Sequence, residues 1–363
     1  MKFIISKTVF LDELQKLVGP TTSKQALADL LLISTNNNKI KMITTDLDIT
    51  LISSKEAKII KEGKSVVSMK RILSIFRELP DSEIDVELDK NNLLISCEQI
   101  EFKINTVNPE QFPKIEEKKH TSLIKLNPQD LEEMIRLTSF CVGSGEANYV
   151  LGGVLFELFG NEIKVVATDG KRLAFSSKKL PASQTEIKTK ISFILPSRAV
   201  SEIYKLIKER TDDVFLFVEE NRVGFDFKDT QFIARPVEGE FPNYSQYIPA
   251  EGKDKLIVDK KEFLLALRRA ALLATSDYQG VKIELKKENM VVSKQTPQMG
   301  EVKESVKAKY NGAALAVGIN PNFLIDVLKN VDESEVTIEF FGADKPAVLR
   351  KQGYVYLVLP MKI

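Results

Sequence analysis

The feature that most constrains this chain is a hairpin signal that occurs twice. Residues 165–177 read Val-Val-Ala-Thr-Asp-Gly-Lys-Arg-Leu-Ala-Phe-Ser-Ser, so one apolar run enters a Thr-Asp-Gly turn and another leaves it. Asp-Gly between β-prone runs marks a tight hairpin, because glycine supplies the positive φ that such turns require. Ile40-Lys41-Met42-Ile43-Thr44-Thr45-Asp46 matches Ile163-Lys164-Val165-Val166-Ala167-Thr168-Asp169, and both copies end in Ser-Ser, at Ser53-Ser54 and Ser176-Ser177. The offset predicts a repeat of roughly 120 residues, too long for a solenoid unit and about the size of a domain.

A chain of 363 residues holds three such units, and each third shows the same grammar of strand, helix, strands, helix, strands. In the first third a strand is expected at 3–5 and a helix over 8–18, burying Phe10, Leu11, Leu14 and Leu17 and stopping at Gly19-Pro20. Strands near 28–34, 39–46 and 48–53, a helix over 68–79 and strands near 83–88, 92–97 and 99–105 complete the unit. The second third has a strand over 122–126 and a helix opened by Asn127-Pro128, then strands near 150–158, 162–168 and 171–177, a helix from after Pro196 to about 208, and further strands before Gly239-Glu240-Phe241-Pro242. The last third has a strand over 256–258 and a helix over 260–273, with strands near 281–285, 289–294 and 302–309. A helix after Asn320-Pro321 and strands near 335–340, 346–350 and 353–359 close it. Phe112-Pro113 and Phe241-Pro242 mark the joins, giving domains at 1–119, 120–250 and 251–363. The expected class is α+β: three homologous domains, each an antiparallel sheet with two helices.

Composition removes several functions. Fifty-two basic residues against fifty-one acidic leave a net charge of +1, so any nucleic-acid surface must come from segregated charge. Cys97 and Cys141 are too few for a disulfide framework or a zinc site, which points to a reducing interior. The polar N-terminus and the lack of a long apolar run predict a soluble, cytoplasmic protein. His120, the single histidine, sits in a polar Glu-Lys-Lys-His-Thr run, and no nucleophile, base or metal cluster can be assembled around it. Gly170-Lys171 lacks the upstream glycine of a phosphate loop, and Gly143-Ser144-Gly145 follows a helix, which is wrong for a dinucleotide fingerprint. The expectation is no catalysis, no metal and no cofactor.

Aligning the repeats places charge in register. In the second helix of each unit Arg77, Lys205 and Lys329 share one position, and Lys70 and Arg198 share another, seven residues earlier. In the first helix Lys16, Arg136 and Arg268 coincide. All lie opposite the apolar stripe, so units packed edge to edge would line one surface with basic groups. Such a lining holds phosphates without reading bases.

Taken together, the whole chain resembles the bacterial sliding clamps, the β subunits of DNA polymerase III. The residues that carry the resemblance are Ala167-Thr168-Asp169-Gly170-Lys171-Arg172-Leu173-Ala174, Gly239-Glu240-Phe241-Pro242-Asn243-Tyr244, Asn320, Phe323 to Leu328, and the terminal Tyr356-Leu357-Val358-Leu359-Pro360-Met361-Lys362-Ile363. The resemblance implies the DNA-clamp fold and a head-to-tail homodimeric ring around duplex DNA. It implies interface residues Phe102, Ile104, Leu272 and Leu273, and DNA contacts at Lys24 and Arg198, with Tyr149 near the hole. It also implies a pocket between the second and third domains for short hydrophobic peptides of the polymerase III catalytic subunit, other polymerases, the clamp loader and repair proteins. Positions matching that pocket are Leu151, Thr168, Gly170, Arg172, Leu173, Pro242, Tyr247, Asn320, Phe323, Pro346, Val358, Leu359, Pro360 and Met361. Lys171, Gln246 and Tyr278 depart from the family's usual histidine, arginine and phenylalanine, which bears on motif preference. Two other readings are an enzyme acting on a phosphorylated substrate at the 169–172 turn and a protein scaffold that ignores DNA.

Overall fold

In the computed structural model the described residues are 1–23, 25–115, 123–143, 146–208, 210–275 and 279–362. Six helices form among them: α1 (Lys7–Lys16), α2 (Met69–Glu78), α3 (Pro128–Thr138), α4 (Ser197–Ile207), α5 (Lys260–Ala271) and α6 (Pro321–Asn330). Each is short, so packing of its apolar face rather than intrinsic propensity holds it. Their starts follow the expected chemistry: the Ser68 hydroxyl accepts from Arg71 N–H at the head of α2, and Asn320 with Pro321 caps α6. None of the described helices is long and apolar enough to cross a membrane.

Compactness groups the chain into two units, Met1–Gln129 with Lys205–Pro236, and Asp130–Tyr204 with Val237–Ile363. This grouping cuts through the middle repeat because sheets run on from one repeat to the next. In the first unit a five-stranded sheet has the order Lys58–Lys61, Lys2–Ser6, Glu83–Asp89, Asn92–Cys97, Ile100–Asn105. An eight-stranded sheet runs Ile124–Leu126, Val214–Glu219, Arg222–Phe227, Thr230–Ala234, Ile49–Glu56, Lys39–Thr45, Leu30–Asn36, Gly63–Ser68. Its middle joins the repeats, with Ile49 opposite Ala234 and Ser53 opposite Thr230.

The second unit contains one twelve-stranded sheet. It runs Ile187–Pro196, Gly153–Gly160, Glu162–Thr168, Arg172–Lys179, Tyr354–Val358, Ala347–Lys351, Glu335–Phe340, Asp254–Asp259, Gly300–Tyr310, Asn289–Thr296, Val281–Leu285, Leu315–Ile319. Here Arg172 lies opposite Val358 and Ser176 opposite Tyr354, the register of the other junction. Ser54 N–H donates to Asp229 O at 3.0 Å, and its repeat partner Ser177 donates to Gly353 O at 2.7 Å. The Phe-Pro markers have a packing role: Phe112 is buried in the first unit beside Ile43, Ile52 and Ile233, and Phe241 packs against Val166, Leu173 and Leu357 in the second.

Four strands escaped the sequence reading. Lys58–Lys61 is an exposed edge, Gly63–Ser68 opens on glycine, Ile187–Pro196 is broken by Lys188 and Lys190, and Leu315–Ile319 is interrupted by Gly318. Residues 146–152 are a 3-10 segment rather than the start of the expected strand, which begins at Gly153.

The duplicated turn is copied bond for bond. In the second copy Thr168 Oγ1 donates to Arg172 O at 2.6 Å and accepts from Gly170 N–H at 3.1 Å; Asp169 Oδ1 accepts from the amides of Lys171 and Arg172 at 2.9 and 3.0 Å. In the first copy Thr45 Oγ1 donates to Ile49 O and accepts from Leu47 N–H, both at 3.1 Å; Asp46 Oδ1 accepts from Asp48 and Ile49 at 3.2 and 2.8 Å. The third turn residue is left-handed in both, with φ of +83° at Gly170 and +77° at Leu47. Glycine suits that conformation and leucine does not.

Candidate functional site

Arg172, at the exit of the second turn, is the hub of the candidate pocket. It is 9% exposed. Nε donates to Asp169 Oδ2 at 3.0 Å, one terminal nitrogen to Asp326 Oδ2 at 2.6 Å and the other to Phe140 O at 2.8 Å. The guanidinium lies 4.5 Å from the ring centre of Phe323 and 5.7 Å from that of Phe140. Burial works against its charge, but the hydrogen bonds to Asp326 and Asp169, together with the nearby Cys141 and Tyr356, outweigh it and hold the pKa above the ordinary arginine value. Arg172 therefore spends its donors inside the protein, fixing two aromatic rings and the turn.

The apolar C-terminal segment is part of the same construction. Val358 is buried at the end of its strand, and Leu359 N–H donates to Lys171 O at 2.8 Å. Met361 N–H donates to Gly318 O, also at 2.8 Å, so main-chain bonds fix the segment at two points. Leu359 still shows 43% of its surface to solvent, with Pro360 and Met361 half-buried. Tyr356 Oη donates to Phe323 O at 2.7 Å and its ring lies 5.8 Å from Phe140, tying this strand to the head of α6. Asn320 caps that helix, and Phe323 is half-buried beside Arg172.

The other wall is the segment that follows Phe241. Tyr244 Oη donates to Glu157 Oε2 at 2.6 Å; burial first, and then that carboxylate, raise the phenol pKa well above its ordinary value. Phe241, Tyr244 and Ile248 pack against the cluster that contains Leu173 and Leu357. Farther along, buried Glu339 accepts from Gly252 N–H at 3.1 Å, and Arg350 donates to Pro249 O at 2.9 Å. Pro242, Gln246 and Tyr247 stand exposed between these anchors. Leu151 and Pro346 are half-buried, Thr168 and Leu173 buried, and Gly170 and Lys171 exposed. Tyr278 lies outside the described residues, as do Lys24 and His120.

Sequence reasoning missed Asp326, Phe140, Glu157, Glu339 and Arg350. Only Asp326 left a signal, as a lone acid inside the apolar run Phe323-Leu324-Ile325-Asp326-Val327-Leu328. Cys141 is fully buried, and desolvation pushes its thiol pKa well up, which removes it as a nucleophile. No group of three or more His, Cys, Asp or Glu suited to a metal occurs among the described residues.

The basic helix positions divide into two kinds. Lys70, Arg77, Lys205, Arg268 and Lys329 are exposed, Arg198 is half-buried, and Tyr149 is 63% exposed. Arg136 departs from the expected lining: it donates to Asn330 O at the end of α6 and to Asp332 at 2.7 Å, with Glu132 at 3.8 Å. Lys16, its repeat partner, is held by Glu13 at 2.7 Å and Asp229 at 3.3 Å. Acids of the neighbouring repeat hold both side chains, an outcome that helix periodicity alone does not reveal. At the remaining positions, Leu272 is 77% exposed, Leu273 and Phe102 are half-buried, and Ile104 is buried in its own sheet.

Three family descriptions match in tandem: the N-terminal domain of the DNA polymerase III beta subunit over residues 1–116, its central domain over 125–243 and its C-terminal domain over 245–362. The chain belongs to the DNA polymerase III beta subunit family. A beta sliding clamp from Staphylococcus epidermidis is 30% identical over 379 residues, covering 100% of this chain and 99% of its own. The crystal structure of the DNA polymerase sliding clamp from Bacillus subtilis superposes with a TM-score of 0.93 at 26% identity, covering 100% of this chain and 99% of that one. A Pseudomonas aeruginosa sliding clamp crystallised bound to griselimycin gives 0.94 at 25% identity, with both chains covered in full. As a sliding clamp of DNA polymerase III the chain is a replication subunit built of three tandem clamp domains.

Proposed function

We propose that two copies close head to tail into a ring that encircles duplex DNA without sequence preference, with domains at 1–119, 120–250 and 251–363. The ring slides and tethers polymerases, the clamp loader and repair proteins through the pocket around Arg172. One observation carries the ring. Each internal junction pairs the third outer strand of one repeat with the last strand of the next, at Ile49–Glu56 with Thr230–Ala234 and at Arg172–Lys179 with Tyr354–Val358. The equivalents left over are Gly300–Tyr310, whose outer side meets Asp254–Asp259 only at residues 308–310, and the sheet-edge strand Ile100–Asn105. Two unpaired edges of complementary kind on one chain make a heterologous contact that can close. Exposed Ile100, Leu272 and Met299 supply apolar surface near these edges.

The pocket reading rests on fixed walls, exposed Leu359 and Tyr247, and family membership; the griselimycin complex of the P. aeruginosa relative shows that a clamp of this family takes a ligand. The test is loading onto nicked circular DNA followed by linearisation. A sliding ring stays on the circle and leaves the linear form. Reversing Lys70, Arg77, Lys205 and Lys329 to glutamate, all exposed, lowers loading and retention. A stable monomer in sedimentation, or retention that ignores linearisation, overturns the ring.

A further inference from the structure

The first copy of the duplicated turn borders a groove of its own. Within the first unit, Thr45, Leu47, Asp48 and Thr50, the segment 113–115, the turn 219–222 and residues 233–235 line a cavity of about 730 Å³. Each segment is the repeat equivalent of one that builds the pocket around Arg172. The turns match bond for bond. Residues 113–115 follow Phe112 as Pro242 follows Phe241, and the turn at 219–222 answers the one that carries Pro346. The final correspondence is atomic: Arg235 N–H donates to Asp48 O at 2.9 Å, as Leu359 N–H donates to Lys171 O at 2.8 Å.

The chemistry of this groove differs from that of its counterpart. Leu47 replaces glycine at a left-handed φ of +77° and is 54% exposed, so it has neither a relaxed backbone nor a buried side chain. Pro113, Ile115 and Ile233 add apolar surface. Arg222 is neutralised by Glu219 at 2.7 Å. Asp48, Glu220, Lys114 and Arg235 line the same cavity, yet no ion pair forms among these four. An apolar knob set among separated charges of both signs suits an extended peptide that brings an aliphatic side chain between one acidic and one basic residue.

We propose that this groove is a second docking site, taking such a segment from a polymerase already held at the Arg172 pocket. A weak second contact gains from the effective concentration that the first contact sets. The proposal rests on the docking reading above for its choice of probe.

The test uses the purified catalytic subunit of the replicative polymerase and, separately, a short peptide carrying that subunit's clamp-binding motif. Leu47→Gly removes the knob and relieves the left-handed strain, so it folds; Arg235→Glu inverts a rim charge and keeps the backbone bond. The pair of changes is expected to weaken the whole subunit about ten-fold and leave the short peptide's affinity at the parent value. Unchanged affinity for the whole subunit overturns the proposal. So does a fall in the sedimenting mass of the chain alone, which would reassign the groove to self-contact. If the short peptide does not bind the parent chain, the Arg172 pocket reading falls, and the groove is still judged by the subunit's response to the two variants.

Discussion

Arg136→Gln separates a junction residue from a DNA-facing one. The guanidinium donates to Asn330 O at the C-terminal end of α6 and to Asp332, and its side chain is 20% exposed. A charged donor on the last carbonyls of a helix contributes about 1.5–2 kcal/mol through the hydrogen bond and the helix dipole. The Asp332 pair adds less than about 1 kcal/mol, since that carboxylate is 75% exposed. A loss of about 2 kcal/mol corresponds to about thirty-fold faster hydrogen exchange where opening of the last turn of α6 controls it. Local exchange is the right measure, because a multidomain chain has no single unfolding free energy. The counterpart is Lys329→Gln on the same turn, where an exposed charge acting only on the dipole changes exchange by about five-fold at most. Duplex DNA reverses the order. Lys329→Gln lowers the slope of log affinity against log salt by about one, and Arg136→Gln leaves it unchanged. The reasoning is refuted if Arg136→Gln lowers the salt slope while α6 exchanges as in the parent.

Two further outcomes follow from the ion pairs. Burial would raise the Asp229 carboxyl, but Lys16 and Arg210 outweigh it and hold the pKa at about 2, below the ordinary 3.8. A depressed carboxyl stabilises the fold above about pH 4 and loses that contribution as pH falls through about 2, so Asp229→Asn costs about 2 kcal/mol at pH 5 and almost nothing near pH 2. Hydrogen exchange of the amides around Asp229 in both proteins across that window checks it, and a gap that ignores pH contradicts it. At the pocket, Arg172→Gln and Asp326→Asn should be non-additive by about 1–3 kcal/mol, because each removes the same 2.6 Å contact. Arg172→Gln should also weaken peptide binding by freeing Phe323; additive stabilities with unchanged affinity would remove Arg172 as the hub.

Much of the fold was legible because the repeat is written in residues that act locally. Thr-Asp at each turn does its work within a few positions, as does Asn320-Pro321 at the head of α6, and the structure places both in those roles. What escaped depends on contacts distant in sequence. Lys58–Lys61 and Ile187–Pro196 have lysines where a strand signal needs apolar residues, and sheet partners make them strands. Arg136 and Lys16 sit on the polar faces of their helices, as the periodicity requires. Whether a polar face meets DNA or a neighbouring acid depends on Asp332 and Asp229, 196 and 213 residues away along the chain.

Where the repeats stop matching, the chain has been given different work. Glu13 and Glu133 occupy one position on α1 and α3, and each is held by lysines at an internal junction, Lys16 and Lys55 in the first case, Lys178 and Lys351 in the second. The equivalent on α5 is Leu265, 37% exposed, and the nearby Arg269 is paired within its own domain to Glu304. A charged latch therefore occurs at both junctions inside the chain and is missing from the edge proposed to close the ring. Breaking a partly buried ion network strands a charge, whereas the edge strands Ile100–Asn105 and Gly300–Tyr310 carry most of their charges in solvent, so parting them strands few. On the proposed ring, opening is therefore expected at the contact between copies, with the three domains of one chain staying together. Gly170 and Leu47 divide the turns in the same way: two grooves share one backbone, and a single residue at the left-handed position decides which is smooth and which carries a knob.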